Sequence, residues 1–558
     1  MHRMFILAVV LLLAVPAFAQ GTGSPAYGQN DPFRQLDELW PTPNVYRAGS
    51  GAPGHAYWQQ EADYKIAAAI DDATQTLRGH ETITYRNNSP DSLRYLWLQL
   101  DQNRFAKHSN AWATLTQLSK EKLAFSALRM LMLADEGKLG HHIASVKDAA
   151  GRNLPFTIVD TVMRIDLPQP LAPGKAVRFS IDWSYQIPEG KALSARGGWE
   201  LFEKDGNYLY FIAQWFPRMV AYTDAQGWNT KAFLGRGEFT LEFGDYDVAI
   251  TVPADFVVAS TGELQNADAV LTEAQRQRLA EARTAQKPVF IVTPDEAKEN
   301  QKEGTKETRT WHFRARRVRD FAFAASRKFI WDARGYEVEP GRTVMAMSFY
   351  PPEGMPLWHQ YSTEAIVQAL DVYSRMTVPY PYPVAISVNG PLGGGMEYPM
   401  ITSNGPRPEE DGTYSRRTKY GLISVVIHEI GHSWFPMIVN SDERNWTWMD
   451  EGLNSFLQFL AEREWEKDYP RRRGYPSEIV DYMLSPNQVP IMTQSDSILQ
   501  FGNNAYAKPA TALNILRETV LGRDLFDFAF KEYARRWWFK RPMPADFFRT
   551  MEDASGVD

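Results

Sequence analysis

The chain has 558 residues, too many for one ordinary hydrophobic core, with 44% apolar and 23% charged residues, the balance of a soluble globular protein of two to four domains. A formal net charge of −7 gives no reason to expect a nucleic-acid partner. Cysteine is absent, which excludes disulfides, thiol ligands to a metal, a thiol nucleophile and a cysteine-linked lipid anchor.

Residues 1–19 read as a secretory signal. Arg3 gives a positive start, 5–15 an apolar stretch too short to span a bilayer comfortably, and Ala17-Phe18-Ala19 a small-residue cleavage site before Gln20. The alternative, a buried N-terminal helix, does not account for that order. Export to the periplasm or the medium is expected, with no membrane anchor. Residues from 20 to about 60, rich in Gly, Pro and polar groups, read as an extended lead-in.

From about 62 the pattern alternates as strands do, in YKIAAAID, TLRGHETITYRN and LRYLWLQL. Segment 109–133 is more helical. Strands return in VRFSIDWSYQI, NYLYFIAQWF, GEFTLEF and YDVAITVP. Residues 270–284 form an amphipathic helical insertion capped by Thr272, with Glu273 in its first turn. The charged run that follows, through KENQKEGTKETR, is expected to be an exposed loop. The expected organisation is therefore a β-rich domain over 20–335 and a mainly helical one over 336–558, an α+β multidomain protein. The second domain opens with a strand at MAMSFY and a long helix at LWHQYSTEAIVQALDVYSRMT, and helices return from about 510 to 537.

Three motifs in the second region carry chemistry. Gly393-Gly394-Gly395-Met396-Glu397-Tyr398-Pro399 comes first. Glycines let a backbone approach a ligand closely, and a carboxylate beside them suits a cation such as a peptide's α-amine. Alone, this motif reads equally as a glycine turn with a surface glutamate. HEIGH follows: His428 and His432 are i and i+4 on one helix face, and Glu429 projects beside them. Glu451, in WMDEG, comes after eighteen intervening residues. Two imidazoles and a carboxylate make a three-ligand zinc site that leaves a fourth position for water, and Glu429 can take a proton from that water. A surface helix with two solvated histidines is the alternative. The apolar flanks Ile423, Val426, Ile427 and Ile430 argue against it.

In this order and spacing, GGGMEYP, HEIGHSWFP and WMDEGLNSF resemble the aminopeptidase N-type family of gluzincin metallopeptidases, from about residue 62 onward. The resemblance implies a saddle-shaped β domain before a thermolysin-like zinc catalytic domain, and removal of N-terminal residues from peptides with a free amine. It implies one Zn²⁺ on His428, His432 and Glu451, with Glu429 as general base. Glu397 anchors the α-amine, beside Gly394, Gly395 and Met396. Tyr506, in AYAKPATAL, corresponds to the tyrosine that stabilises the oxyanion, and Gln214, in AQWFP, to a β-domain residue lining the amine site. Tyr398 stands where the family has Asn, and Asp450 replaces the common Asn before the zinc glutamate. The helical domain that closes the family's cleft has no counterpart here, so a chain truncated in its catalytic domain or an open cleft is expected. The rival readings are an open-cleft endopeptidase, another zinc hydrolase on the same scaffold, and a non-catalytic peptide-binding protein.

Overall fold

A computed structural model describes residues 41–114, 125–470 and 473–558. The signal-like segment lies outside them. The first half is mainly β, with short helices between its strands, Phe125–Asp135 and Glu273–Ala282 among them. A seven-stranded sheet runs in the order Glu263–Leu264, Thr308–Val318, Gly244–Pro253, Glu61–Asp71, Thr76–Arg86, Ala176–Gln186 and His142–Asp148. Its alternating patterns bury one face: in Thr76–Arg86, Leu77, Ile83 and Tyr85 point inward. Two four-stranded sheets, built around Leu93–Gln99 and Asn207–Ile212, and a two-stranded one, Tyr222–Thr223 with Gly227–Trp228, accompany it.

Two expectations fail in this half. GEFTLEF forms no strand; it makes only isolated bridges, through Leu241 and Phe243. Phe239, Leu241 and Phe243 are buried, and so are Glu238, Thr240 and Glu242 on the other side. A segment buried on both faces has no solvent side, and its polar groups serve other partners. The charged run after the insertion is a helix, Pro294–Glu303. Thr293 caps it, Pro294 opens it, and Gly304 ends it in the left-handed conformation.

The second half rests on a six-stranded mixed sheet in the order Val289–Val292, Ile330–Glu339, Arg342–Tyr350, Val384–Asn389, Ile401–Asn404 and Met396–Tyr398. The expected boundary near 335 thus falls inside a strand of this sheet, which begins at Ile330 and draws its outermost strand from the segment after the insertion. The helix Leu357–Met376 packs on the sheet, and Arg416–Gly431 packs on that helix. Helices Glu451–Trp465, Lys508–Ile515, Arg523–Arg536 and Pro544–Ser555 follow. No helix among the described residues is long and apolar enough to cross a membrane.

Buried ion pairs join the halves. Arg319 bonds Asn440 at 3.0 Å and pairs with Glu443, and Arg444 reaches Asp101 at 3.2 Å. The start of the described chain is clasped to its end: Arg47 pairs with Asp546, and Gly51 O accepts from Trp537 Nε1 at 2.8 Å.

Candidate active site

Ser415 caps the histidine helix Arg416–Gly431 by accepting from Thr418 N at 3.0 Å, and Leu422, Ile423, Val426, Ile427 and Ile430 bury its inner face. The solvated-helix alternative is thereby removed: His428 is 7% exposed and His432 1%. Glu451 opens the neighbouring helix, where the positive end of the helix dipole favours a carboxylate. Glu397 lies on the edge strand Met396–Tyr398, which pairs antiparallel with Ile401–Asn404 beside the histidine helix.

The three candidate ligands converge. His428 Nε2 lies 3.0 Å from Glu451 Oε2 and 3.1 Å from His432 Nε2, and His432 Nε2 lies 3.3 Å from Glu451 Oε2. Tetrahedral zinc with bonds of about 2.0–2.2 Å requires donors roughly 3.3 Å apart, so the set fits. The opposite ring nitrogens are engaged elsewhere, which turns each Nε2 inward. His428 Nδ1 meets Gln458 Oε1 at 2.9 Å; His432 Nδ1 meets Phe435 O at 2.9 Å and Asp450 Oδ1 at 2.8 Å. Asp450 is fully buried, and burial holds its carboxyl well above the usual range.

Two cavities open on these residues, one of about 650 Å³ and one of about 520 Å³. They share Gly395, Glu429 and Tyr506 as wall. Glu429 Oε2 is buried without a hydrogen-bond partner, and burial pushes this carboxyl upward. Tyr506 sits in a π-helical turn, Gly502–Ala507, donates to Glu451 Oε1 and stacks its ring on His428 at 5.7 Å.

The remaining expected residues divide. Gly395 has to be glycine, because a Cβ there would collide with the Glu429 carboxylate. Met396 lines the smaller cavity, and its sulfur accepts from Arg196 Nη1 at 2.8 Å. Gly394 lines neither cavity; its carbonyl accepts from Gly405 N at 3.0 Å. Gln214 is also off both walls. Its amide donates to Tyr398 Oη at 3.1 Å, so the ring that replaces the family's Asn holds Gln214 back.

Sequence reasoning missed Glu238. Its Oε2 is buried without a partner, as is Glu397 Oε1, while its Oε1 pairs with Arg196. Oxygens of Glu238, Glu397, Glu443 and Asp450 lie within 4.8 Å of one another. Glu238 belongs to GEFTLEF, and reading that segment as a strand hid it.

Fold and site together define a two-domain architecture, a β body and a mainly helical body, with two histidines and a glutamate converging between its helices. The M1 zinc metallopeptidase of Deinococcus radiodurans matches the chain with a TM-score of 0.58 at 16% identity, covering 91% of this chain and 94% of that one. Residues 361–558 match the Peptidase family M1 domain. Glutamyl aminopeptidase of Sus scrofa is 30% identical over 144 residues, 24% of this chain and 15% of that protein. Endoplasmic reticulum aminopeptidase 1 of Mus musculus is 26% identical over 203 residues, 34% and 22% respectively. The match thus spans about a fifth or less of the length of these curated relatives.

Proposed function

We propose that this protein is a zinc aminopeptidase that removes N-terminal residues from peptides. The observation that carries the reading is the closed, anionic end of the smaller cavity. There Glu397 and Glu238 each present a buried, unpartnered oxygen, and the same cavity reaches Glu429, His432 and Glu451. Glu238 already has Arg196 on its other oxygen, but a buried carboxylate oxygen without a donor is costly, and a peptide's α-ammonium brings donors and charge at a fixed distance from its first peptide bond.

His428, His432 and Glu451 would hold one zinc ion, which when bound polarises a carbonyl and makes water acidic near neutral pH. Glu429 Oε2 takes the proton of the attacking water and delivers it to the leaving amine nitrogen. Tyr506 Oη donates to the carbonyl oxygen as it becomes negative, in place of its bond to Glu451. Glu397 and Glu238 do no chemistry; they set the register, one residue in from the amine. Several solved neighbours support this reading: a variant of the M1 zinc metallopeptidase from Deinococcus radiodurans was crystallised with a Tyr-Ser-Ala substrate, and two-domain M1 zinc metallopeptidase variants with L-tryptophan and L-arginine.

The test is a mass-spectrometric time course on one peptide, free and N-acetylated, with zinc-loaded protein. Stepwise loss of N-terminal residues from the free form alone is expected. Internal cuts in both forms would instead make the protein an endopeptidase, and no cleavage of either would sink the hydrolase reading. The signal-like start supports export as part of the same proposal. A mature N-terminus at Gln20 on sequencing of the exported protein is the expected result.

A further inference from the structure

The smaller cavity is anionic at one end and cationic at the other. Beyond Glu238 its wall runs through Arg196, whose Nη2 donates to Gly235 O at 3.1 Å, and then to Arg104. The Arg104 guanidinium lies flat against Gly235, where a Cβ would sit 2.7 Å from its Cζ. Gly235 also has φ +115°, a conformation that glycine adopts freely.

Arg104 differs from the other buried arginines near it. Arg196 has Glu238, Arg218 has Asp101 and Asp320, and Arg444 has Asp101. Among the described residues Arg104 has neither a carboxylate within ion-pair distance nor a side-chain hydrogen bond, and its Nη1 is sealed from solvent without a partner. Its nearest surroundings are aromatic and cationic, with Asp101 and Asp496 close enough to act on its charge but not to bond it. Its Cζ lies 5.2 Å from the Phe105 ring and 5.4 Å from the Phe233 ring, and Arg196 and Arg444 face the same Phe233 at 6.0 and 4.8 Å. Burial and the charge of Arg196 lower its pKa to about 10, which leaves it protonated at neutral pH. A partly buried cation that lines a cavity without a carboxylate in bonding distance is a place for an anion.

We infer that Arg104 receives the side-chain carboxylate of the substrate's N-terminal residue, making acidic residues (Glu, then Asp) the preferred first residues. This rests on the aminopeptidase reading and deepens it. The α-ammonium pairs with Glu397 and Glu238, and the side chain extends past Arg196 and Gly235 to Arg104. An N-terminal Gln is the same size as Glu but brings no charge, so it forfeits a charge-assisted bond and leaves Arg104 unpaired. The expected discrimination is roughly tenfold or more. An N-terminal Lys or Arg meets like charge and is rejected more strongly.

The test compares Glu-Ala-Ala, Gln-Ala-Ala and Leu-Ala-Ala on zinc-loaded protein in two assays. One is hydrolysis by the full chain; the other is calorimetric binding to the Glu429→Gln variant, which reads affinity without turnover. The wild type should favour Glu over Gln by about tenfold or more in kcat/KM, and the Glu429→Gln protein should do so in Kd. Arg104→Met should erase that ratio while leaving values for Gln and Leu within about threefold, and Arg104→Lys should restore part of it. Equal handling of Glu and Gln by the wild type would overturn the inference. So would an Arg104→Met variant that keeps the ratio or loses all three peptides alike. If no peptide is cut but Glu-Ala-Ala still binds in an Arg104-dependent way, the hydrolase reading fails and the carboxylate site stands.

Discussion

Glu429 stands in the wall between the two cavities, with its Oε2 lacking any partner and Gly395 filling the space against its Oε1. Replacing the carboxylate by an amide keeps that packing and removes the proton acceptor. Glu429→Gln should therefore retain zinc by metal analysis and lose kcat by roughly 10²–10⁴-fold. Near-normal turnover would assign the base elsewhere. Gly395→Ala probes the same carboxylate from outside. The added methyl must displace Glu429, so activity should fall by an order of magnitude or more at unchanged zinc content. The zinc motif was legible in the sequence because HEIGH and WMDEG keep local spacing that a helix converts into geometry. Glu238 and Arg104 were not legible. Each reaches the cavity through tertiary packing, from a segment without regular structure and from a short 3₁₀ turn, Asp101–Phe105, and no periodicity marks either.

The strand Thr76–Arg86 carries its own contradiction. Its alternation sends Leu77, Ile83 and Tyr85 inward, and Glu81 occupies an inward slot on that face, fully buried with both oxygens unpartnered. Burial holds its carboxyl well above the usual glutamate range. A folded-state pKa raised above the unfolded one gives stability that is present at acid pH and lost as pH rises through the folded value. Glu81→Gln removes that loss. The melting temperature of the variant relative to wild type should therefore rise between pH 4 and pH 8, by about 1 °C for each kcal/mol recovered in a chain of this size. A difference that stays flat with pH would mean that Glu81 has a counter-charge in solution. The strands were readable because alternation is a period-two signal; the exception within one was not, since a single polar residue in TLRGHETITYRN looks like any solvated position. The helix Pro294–Glu303 shows the converse: KENQKEG has no apolar stripe, and the helix rests on its Thr293 cap, a proline start and the single buried Ala297.

At the scale of the whole molecule, the site is assembled from both halves. Glu238 and Arg104 come from the β half, while Glu397, the histidines and Glu451 come from the other, and the buried Arg319–Glu443 pair ties the two together. The three converging donors make metal a contributor to folding stability as well as to chemistry. Zinc at a thousandfold its Kd should stabilise the protein by about 4 kcal/mol, read as a higher melting temperature that chelation reverses and Glu451→Ala abolishes. An unchanged melting temperature on zinc addition would argue against a preformed site. The general order, β body before helical body, was readable from the change in pattern. The seam was not, because the outermost strand of the second sheet, Val289–Val292, is lent by a segment of the first half.

Arg47 and Asp546 are separated by 499 positions along the chain, yet they share one buried contact. A ribosome adding about 5–20 residues per second reaches the second of them roughly 25–100 s after the first. For that interval the early segment has no acidic group at Asp546 to hold it, and Gly51 has no indole to bond. Until then Arg47 has only Asp224, at 2.8 Å within the β half, so the early segment is fastened in two stages, and nicks near either end of the described chain should loosen the Asp546 and Trp537 contacts together.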